Sequence, residues 1–398
     1  MIRSCLHYAP VVGMFALFST AAAIAQSPAG SQPLVGGLAP ITLHRKATGS
    51  GLEFLSIQLL PGRGLNVFQI TGNLPAKGET SLLKSPSVEV AAAQLTGHGD
   101  DAYGNLNHSF GGAFLIPFSS RLSGDLSPDK QTVTAHWRGK PIALPNDFLG
   151  HYAVHGLLNE LKAQDLHVID TPEGQTLTAV IHAGNFDGHW LSKTDLHFQI
   201  ELKARSIDIA VTATNVGTEP EPMAIGWHPY LAIPSGDRAQ ARVHIPASML
   251  TRIYAVDGRP TGDLDPVQGT PLDFESPAGA LLPPEKSLSI NLSHIERTGN
   301  SSTGNSIDAW LADPKSNYGL RVRGLSPEIH TIHLYSPKDN TFAAIEEQYN
   351  FMDALGLQWH GPGKDMDTGM VALNPGQSTT WHIRLELFTP PASQAATH

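Results

Sequence analysis

Residues 198–212 read FQIELKARSIDIAVT. Phe198, Ile200 and Leu202 alternate with Gln199, Glu201 and Lys203. After Ala204-Arg205-Ser206, Ile207, Ile209 and Val211 alternate with Asp208, Ala210 and Thr212. A period of two puts one set on each face of an extended chain, so the stretch predicts an antiparallel hairpin with one wet face. The pattern recurs near the end of the chain. There Trp381, Ile383, Leu385 and Leu387 alternate with His382, Arg384 and Glu386, behind the turn Asn374-Pro375-Gly376-Gln377. Segments 52–60, 67–71, 177–182 and 332–335 also read as strands. No segment carries a long 3.6-residue apolar period, and the one helical expectation is a short piece over 157–163. The reading is an all-β chain whose opposed antiparallel sheets bury the alternating residues.

Composition agrees. The 398 residues are 41% hydrophobic and only 16% charged, which excludes a disordered or highly charged binding chain. The formal net charge of -10, without a long Lys/Arg run, argues against nucleic acid or an anionic membrane surface as partner. The 38 glycines and 30 prolines suit many short strands joined by turns. The first residues read as a secretory signal over 1–25: Arg3, an apolar run over 9–18, then Ala23-Ile24-Ala25 before Gln26. Cleavage there would leave a periplasmic chain free of thiols, because Cys5 is the one cysteine. The expected organisation is a Ser/Pro/Gly-rich flexible lead-in over 26–37, one β-domain over 38–390, and a frayed tail over 391–398. The oligomeric state is not legible in the sequence.

The 19 histidines raise the question of a metal. His151 and His155 are four apart and His330 and His333 three apart, spacings that suit zinc on a helix. These segments do not read as helices, and no carboxylate completes a set, so no metal is expected. Acid–base chemistry is the better use. Val154-His155-Gly156-Leu157, Gly226-Trp227-His228-Pro229-Tyr230 and Ala344-Ile345-Glu346-Glu347-Gln348 each place a titratable group at a strand end or turn. There a turn exposes the side chain and a sheet fixes it.

These segments, in this order, resemble the aldose 1-epimerase family. Gly111-Gly112-Ala113-Phe114-Leu115-Ile116-Pro117-Phe118-Ser119-Ser120-Arg121 is similar to its "GG…PLLFP..NR" segment. Val154-His155-Gly156-Leu157 is similar to "LHG", and Gly226-Trp227-His228-Pro229-Tyr230-Leu231-Ala232-Ile233-Pro234 to "G.HPYF.LP". Residues 257–274, with Pro260-Thr261-Gly262 and Gly269-Thr270-Pro271-Leu272-Asp273-Phe274, resemble "D….PTG…V.GTPFDF". Ala344-Ile345-Glu346-Glu347-Gln348, then Asp353-Ala354, resembles "EPQT..PDA". The resemblance implies a β-supersandwich of the galactose mutarotase type with few short helices.

The function it implies is interconversion of the α and β anomers of a free aldose, a small-molecule sugar substrate. No cofactor is implied, because no electrons move. By the resemblance, Glu346 would be the general base on the anomeric hydroxyl and His228 the general acid on the ring oxygen. The motif register favours Glu346, with Glu347 as the alternative. His155 and Arg121 would orient sugar hydroxyls, and Trp227, Tyr230, Phe118 or Tyr349 could stack on a sugar face or serve as core. The chain departs from the pattern in four places. Glu347 follows the catalytic position where the family has Pro, Ser120 replaces Asn before Arg121, and Leu158-Asn159 replaces a basic residue. Leu292-Ser293-His294 falls where many members carry an acidic sugar ligand, and Asp308 is the nearby candidate for that role. Two rival functions fit the same fold, a non-catalytic carbohydrate-binding protein and a polysaccharide lyase or hydrolase. A hydrolase would want two carboxylates across one cleft.

Overall fold

The computed structural model describes residues 33–391 apart from 50, 76, 300–304, 362 and 363. The expected signal segment, residues 26–32 of the lead-in and residues 392–398 of the tail lie outside the described residues.

The hairpin that opened the sequence reading forms as Thr194–Leu202 paired with Ser206–Asn215. Its register sets Phe198 opposite Val211, Ile200 opposite Ile209 and Leu202 opposite Ile207. All six side chains are buried. Each such burial contributes roughly 1.5–3 kcal/mol, so the alternating pattern fixes which face turns inward. Ser378–Phe388 pairs with Ser206–Asn215 and buries Trp381, Ile383, Leu385 and Leu387. These strands form the middle of a nine-stranded sheet. From Gln164–Thr171 and Gly174–Gly184 it runs through the hairpin and Ser378–Phe388 to Tyr318–Gly324, Ala309–Asp313, Arg242–His244 and Ala280–Leu281.

A six-stranded sheet runs in the order Leu231–Ala232, Phe342–Gln348, Thr331–Ser336, Leu288–Ile295, Ala247–Ile253 and Pro260–Pro266. A four-stranded sheet joins Ile41–His44, Glu53–Leu60, Asn66–Leu74 and Gly78–Ser81. Every ladder between these strands is antiparallel. One apolar cluster, from Leu43 to Leu387, fills the space between the sheets. This is the all-β sandwich the alternation called for.

Two local expectations need correction. Residues 157–163 form no helix. Their backbone groups are spent on other loops: Leu157 donates to the Ile116 carbonyl, Ala163 to the Pro61 carbonyl, and the Leu161 carbonyl accepts from Gly64. A helix here would send the Leu161 N–H to the Leu157 carbonyl and the Ala163 N–H to the Asn159 carbonyl, but they go to Leu158 and Pro61 instead. The longest α-helix among the described residues is Val88–Gln94, capped by Ser87, whose Oγ accepts from the Val90 N–H. Within the expected lead-in, Val35 is packed rather than flexible: it is buried with Leu60, Phe68, Ala91, Leu95 and Phe110 in a second apolar cluster beside this helix.

Candidate active site

Three backbone segments converge on one group of side chains. The first is Phe342–Gln348. Successive residues on a strand face opposite ways, so Glu346 and Glu347 part company. Glu346 lies directly across the ladder from His333 of Thr331–Ser336, and cross-strand partners share a face. Tyr335, two residues along, shares it too. Glu347 points to the other side, where its Oε2 fills the space that a side chain at Gly324 would need. The second segment, Gly226–His228, pairs with Ala113–Leu115 and sets His228 opposite Ala113. The third is the His155-Gly156 turn. Here the His155 N–H donates to the Ser120 carbonyl at 2.7 Å, and the Leu157 N–H donates to the Ile116 carbonyl at 2.7 Å. Gly156 has φ +86°, and a Cβ there would stand 2.2 Å from the Ile116 oxygen. Only glycine closes this turn, which accounts for the His-Gly pair. Ser120, His155 and Asp353 all hold positive φ without being glycine, the kind of local strain that gathers at functional sites.

His228 Nε2 stands 3.5 Å from Glu346 Oε1. Glu346 is fully buried, and His228 is 6% exposed. The other carboxylate oxygen, Oε2, accepts from Gln348 Nε2 at 2.8 Å. Gln348 is in turn held by Ser119, whose Oγ lies 3.0 Å from Gln348 Oε1. Oε1 has no hydrogen-bond partner among the described residues, and neither does His228 Nδ1. Around the pair, the His155 ring lies 5.0 Å from that of His228, centroid to centroid, and the Tyr230 ring 5.3 Å. Tyr230 stacks on Phe342 at 4.1 Å. The Arg121 guanidinium lies over the Tyr152 and Phe148 rings, 5.1 and 5.5 Å from their centroids.

Burial dominates the electrostatics. It pushes the Glu346 carboxyl well above its ordinary range, against a smaller opposing pull from the Gln348 hydrogen bond. It pushes His228 down to about 4, and holds His155 well below the usual imidazole value, with help from neighbouring histidines and Arg121. Desolvation penalises whichever form is charged. Burial thus favours the uncharged form of each group, a carboxylic acid for Glu346 and a neutral imidazole for His228. Among the described residues no three His, Cys, Asp or Glu side chains are placed to hold a metal ion.

Of the expected site residues, Glu346, His228, His155, Arg121 and Tyr230 come together. Trp227 and Asp308 do not. Trp227 precedes His228 on its strand and so faces the other way. It is buried in the core, with its indole N–H donating to the Gly112 carbonyl at 2.9 Å. Asp308 stands on the Glu347 side of the sheet and pairs with Arg321 at 2.5 Å. Phe118 and Tyr349 are core residues as well.

Three residues were not singled out for this site: His108, His333 and Tyr335. The His108 ring lies 4.7 Å from that of His155. His333 and Tyr335 alternate with buried Ile332 and Leu334, and that alternation was a usable signal once the strand was paired with Phe342–Gln348.

No curated protein matches the chain. Among solved structures, a galactose mutarotase-like protein from Clostridium acetobutylicum aligns over 84% of this chain and 92% of its own. It does so at 15% identity with a TM-score of 0.65. The GalM/aldose epimerase homologue from C. elegans aligns over 88% and 99%, at 18% identity and TM-score 0.63. Galactose 1-epimerase from Lactobacillus acidophilus aligns over 88% and 99%, at 14% identity and TM-score 0.57. At such identities the likeness is one of fold, the galactose mutarotase-like sandwich. The sequence itself matches the family model for aldose 1-epimerase over residues 84–386. That span takes in every side chain of the cluster around His228 and Glu346, and with it the chain belongs to the aldose 1-epimerase family.

Proposed function

We propose that the protein interconverts the α and β anomers of a free reducing sugar by acid–base ring opening between Glu346 and His228. The observation that carries this reading is the 3.5 Å approach of His228 Nε2 to Glu346 Oε1 in a buried setting, with each group keeping a free polar atom. Ring opening needs one group to take the proton of the anomeric hydroxyl and another to protonate the ring oxygen. The ring carbon–oxygen bond then breaks, the aldehyde forms, and rotation before closure gives the other anomer. The two groups exchange roles on closure, so a pair holding one proton suffices for both directions. In the family's assignment Glu346 is the base and His228 the acid. Carboxylic acid with imidazole has the same proton count as carboxylate with imidazolium, so a bound sugar can draw on either form. In this reading Arg121 and His155 orient the sugar hydroxyls. A hydrolase would need a second carboxylate facing the first, and Glu347 faces away.

The test is anomer exchange in freshly dissolved α-glucose, α-galactose and a panel of other aldoses, followed by polarimetry or NMR. Acceleration over buffer is expected for at least one sugar. Binding without acceleration across the panel would replace this reading with a carbohydrate-binding protein.

The pH dependence follows from the pair. Below the His228 value, about 4, both groups are protonated and neither can accept the anomeric proton. Above the raised Glu346 value both are bare, and neither can protonate the ring oxygen. The acid and alkaline limbs of kcat/KM thus report the two titrations of the coupled pair. The imidazole of His228, followed by NMR, should stay neutral as pH falls from about 7 to about 5, where an exposed histidine with a pKa of about 6.5 would gain a proton. Titration of His228 near 6.5 would overturn this ordering.

A further inference from the structure

Behind the cluster, a row of buried asparagines ends on His108. The Arg63 backbone carbonyl can only accept, and it accepts from Asn107 Nδ2 at 3.4 Å. At the opposite end of the same amide, Asn107 Oδ1 accepts from Asn66 Nδ2 at 2.9 Å. With its nitrogen so placed, Asn107 also donates to Asn159 Oδ1 at 3.1 Å. The Asn159 oxygen is then committed, and its Nδ2 turns to His108 Nε2 at 2.9 Å. All four side chains are buried. A buried amide N–H must find an acceptor, so Nε2 must present its lone pair. Burial keeps the ring neutral, pushing His108 to about 3, and a neutral imidazole with a bare Nε2 carries its proton on Nδ1. That Nδ1 has no partner among the described residues. Its ring lies 4.7 Å from that of His155 and 6.1 Å from that of His228. The Nδ1 atom itself is closed off from bulk solvent, so the unused donor is buried beside the His155 and His228 rings.

We propose that His108 is a substrate-binding residue, held by Asn107 and Asn159 as the Nδ1–H tautomer so that it donates one hydrogen bond to an oxygen of the bound sugar. The proposal rests on the sugar reading of the site and adds a ligand to it. It also gives a use to Asn159, one of the places where this chain departs from its family's pattern. An acidic ligand would accept from a sugar hydroxyl. His108 instead demands a sugar oxygen that accepts.

The tautomer is read directly from long-range proton–nitrogen NMR of the full chain labelled with ¹⁵N. The expected result is Nδ1–H in the free protein, with the His108 nitrogen signals moving when a sugar turned over by the wild type is added. Asn159→Asp puts a carboxylate against Nε2 and should move the proton to Nε2, raising KM about tenfold with a smaller change in kcat. His108→Phe should raise KM by at least about tenfold. His108→Asn, which keeps a donor near the Nδ1 position, should recover part of that loss, as a merely space-filling role would not. An Nε2–H tautomer in the wild type overturns the proposal. So does an unchanged KM in His108→Phe while the wild type exchanges anomers, and in that case the anomer-exchange reading survives. A wild type that neither binds nor exchanges any aldose removes both, whatever the tautomer.

Discussion

Glu346→Gln is expected to lower anomer exchange by about 10²- to 10⁴-fold, the usual scale for a positioned acid or base. His228→Asn should do the same. Both variants keep shape and lose only the ability to take or give a proton, so KM should move far less than kcat. The double variant should lose much less than the product of the two single losses, because the groups serve one coupled step and removing either stops it. Glu347→Gln is the matched control. It changes the same functional group one residue away, but that side chain abuts Gly324 on the opposite face of the strand, and exchange should stay within a few-fold. Polarimetry of the wild type and these four variants decides the matter. A damaging Glu347→Gln with a mild Glu346→Gln would place the base on the wrong side of the strand and undo the site described above. If no substitution matters while the wild type exchanges anomers, ring opening does not run through this pair.

What was legible in the sequence follows from how far each interaction reaches along the chain. Alternation is local, and burial enforces it strongly. The hairpin Thr194–Leu202 with Ser206–Asn215 could therefore be read from its own residues, and Ser378–Phe388 likewise. Glu346 and His228 were legible because each sits in a segment whose neighbours carry the family pattern. Parity along a strand would also have removed Trp227 from the site, since consecutive residues cannot both face the sugar. Asp308 was misplaced for the same reason: near a strand, a small shift in assignment changes the face, and here the side chain turned to Arg321. His333 could have been placed once its strand was paired with Phe342–Gln348, but His108 was beyond reach. It arrives from a segment far from the other site residues, and nothing around it announces them. The 157–163 error is of another kind. Its apolar spacing was compatible with a helix, but carbonyls and N–H groups from distant loops claimed its backbone first.

Trp227→Ala should cost about 3–5 kcal/mol of folding stability, the range for deleting a large buried aromatic, measured by chemical denaturation. The side chain is 1% exposed and belongs to the main apolar cluster. It also braces the segment that carries His228. The Gly112 carbonyl accepts from the Trp227 indole at 2.9 Å and from the Val67 N–H at 3.0 Å, while the Gly112 N–H donates to the His228 carbonyl at 2.7 Å. Gly112 itself admits no substitute, since a Cβ there would lie 1.9 Å from the Val67 oxygen. Trp227→Phe separates packing from sugar contact. It keeps most of the buried ring and removes the indole donor, but leaves Val67 on the Gly112 carbonyl. Its stability cost should be about 1–2 kcal/mol, near the net worth of one hydrogen bond plus a small loss of packing. KM for the sugar should be unchanged within about twofold, because the ring never reaches the face that carries Glu346, whereas kcat should fall modestly as His228 loosens. A stacking residue would behave the opposite way, with KM rising tenfold or more in Trp227→Phe at undiminished stability. That outcome would return Trp227 to the sugar and require the strand Gly226–His228 to present its other face.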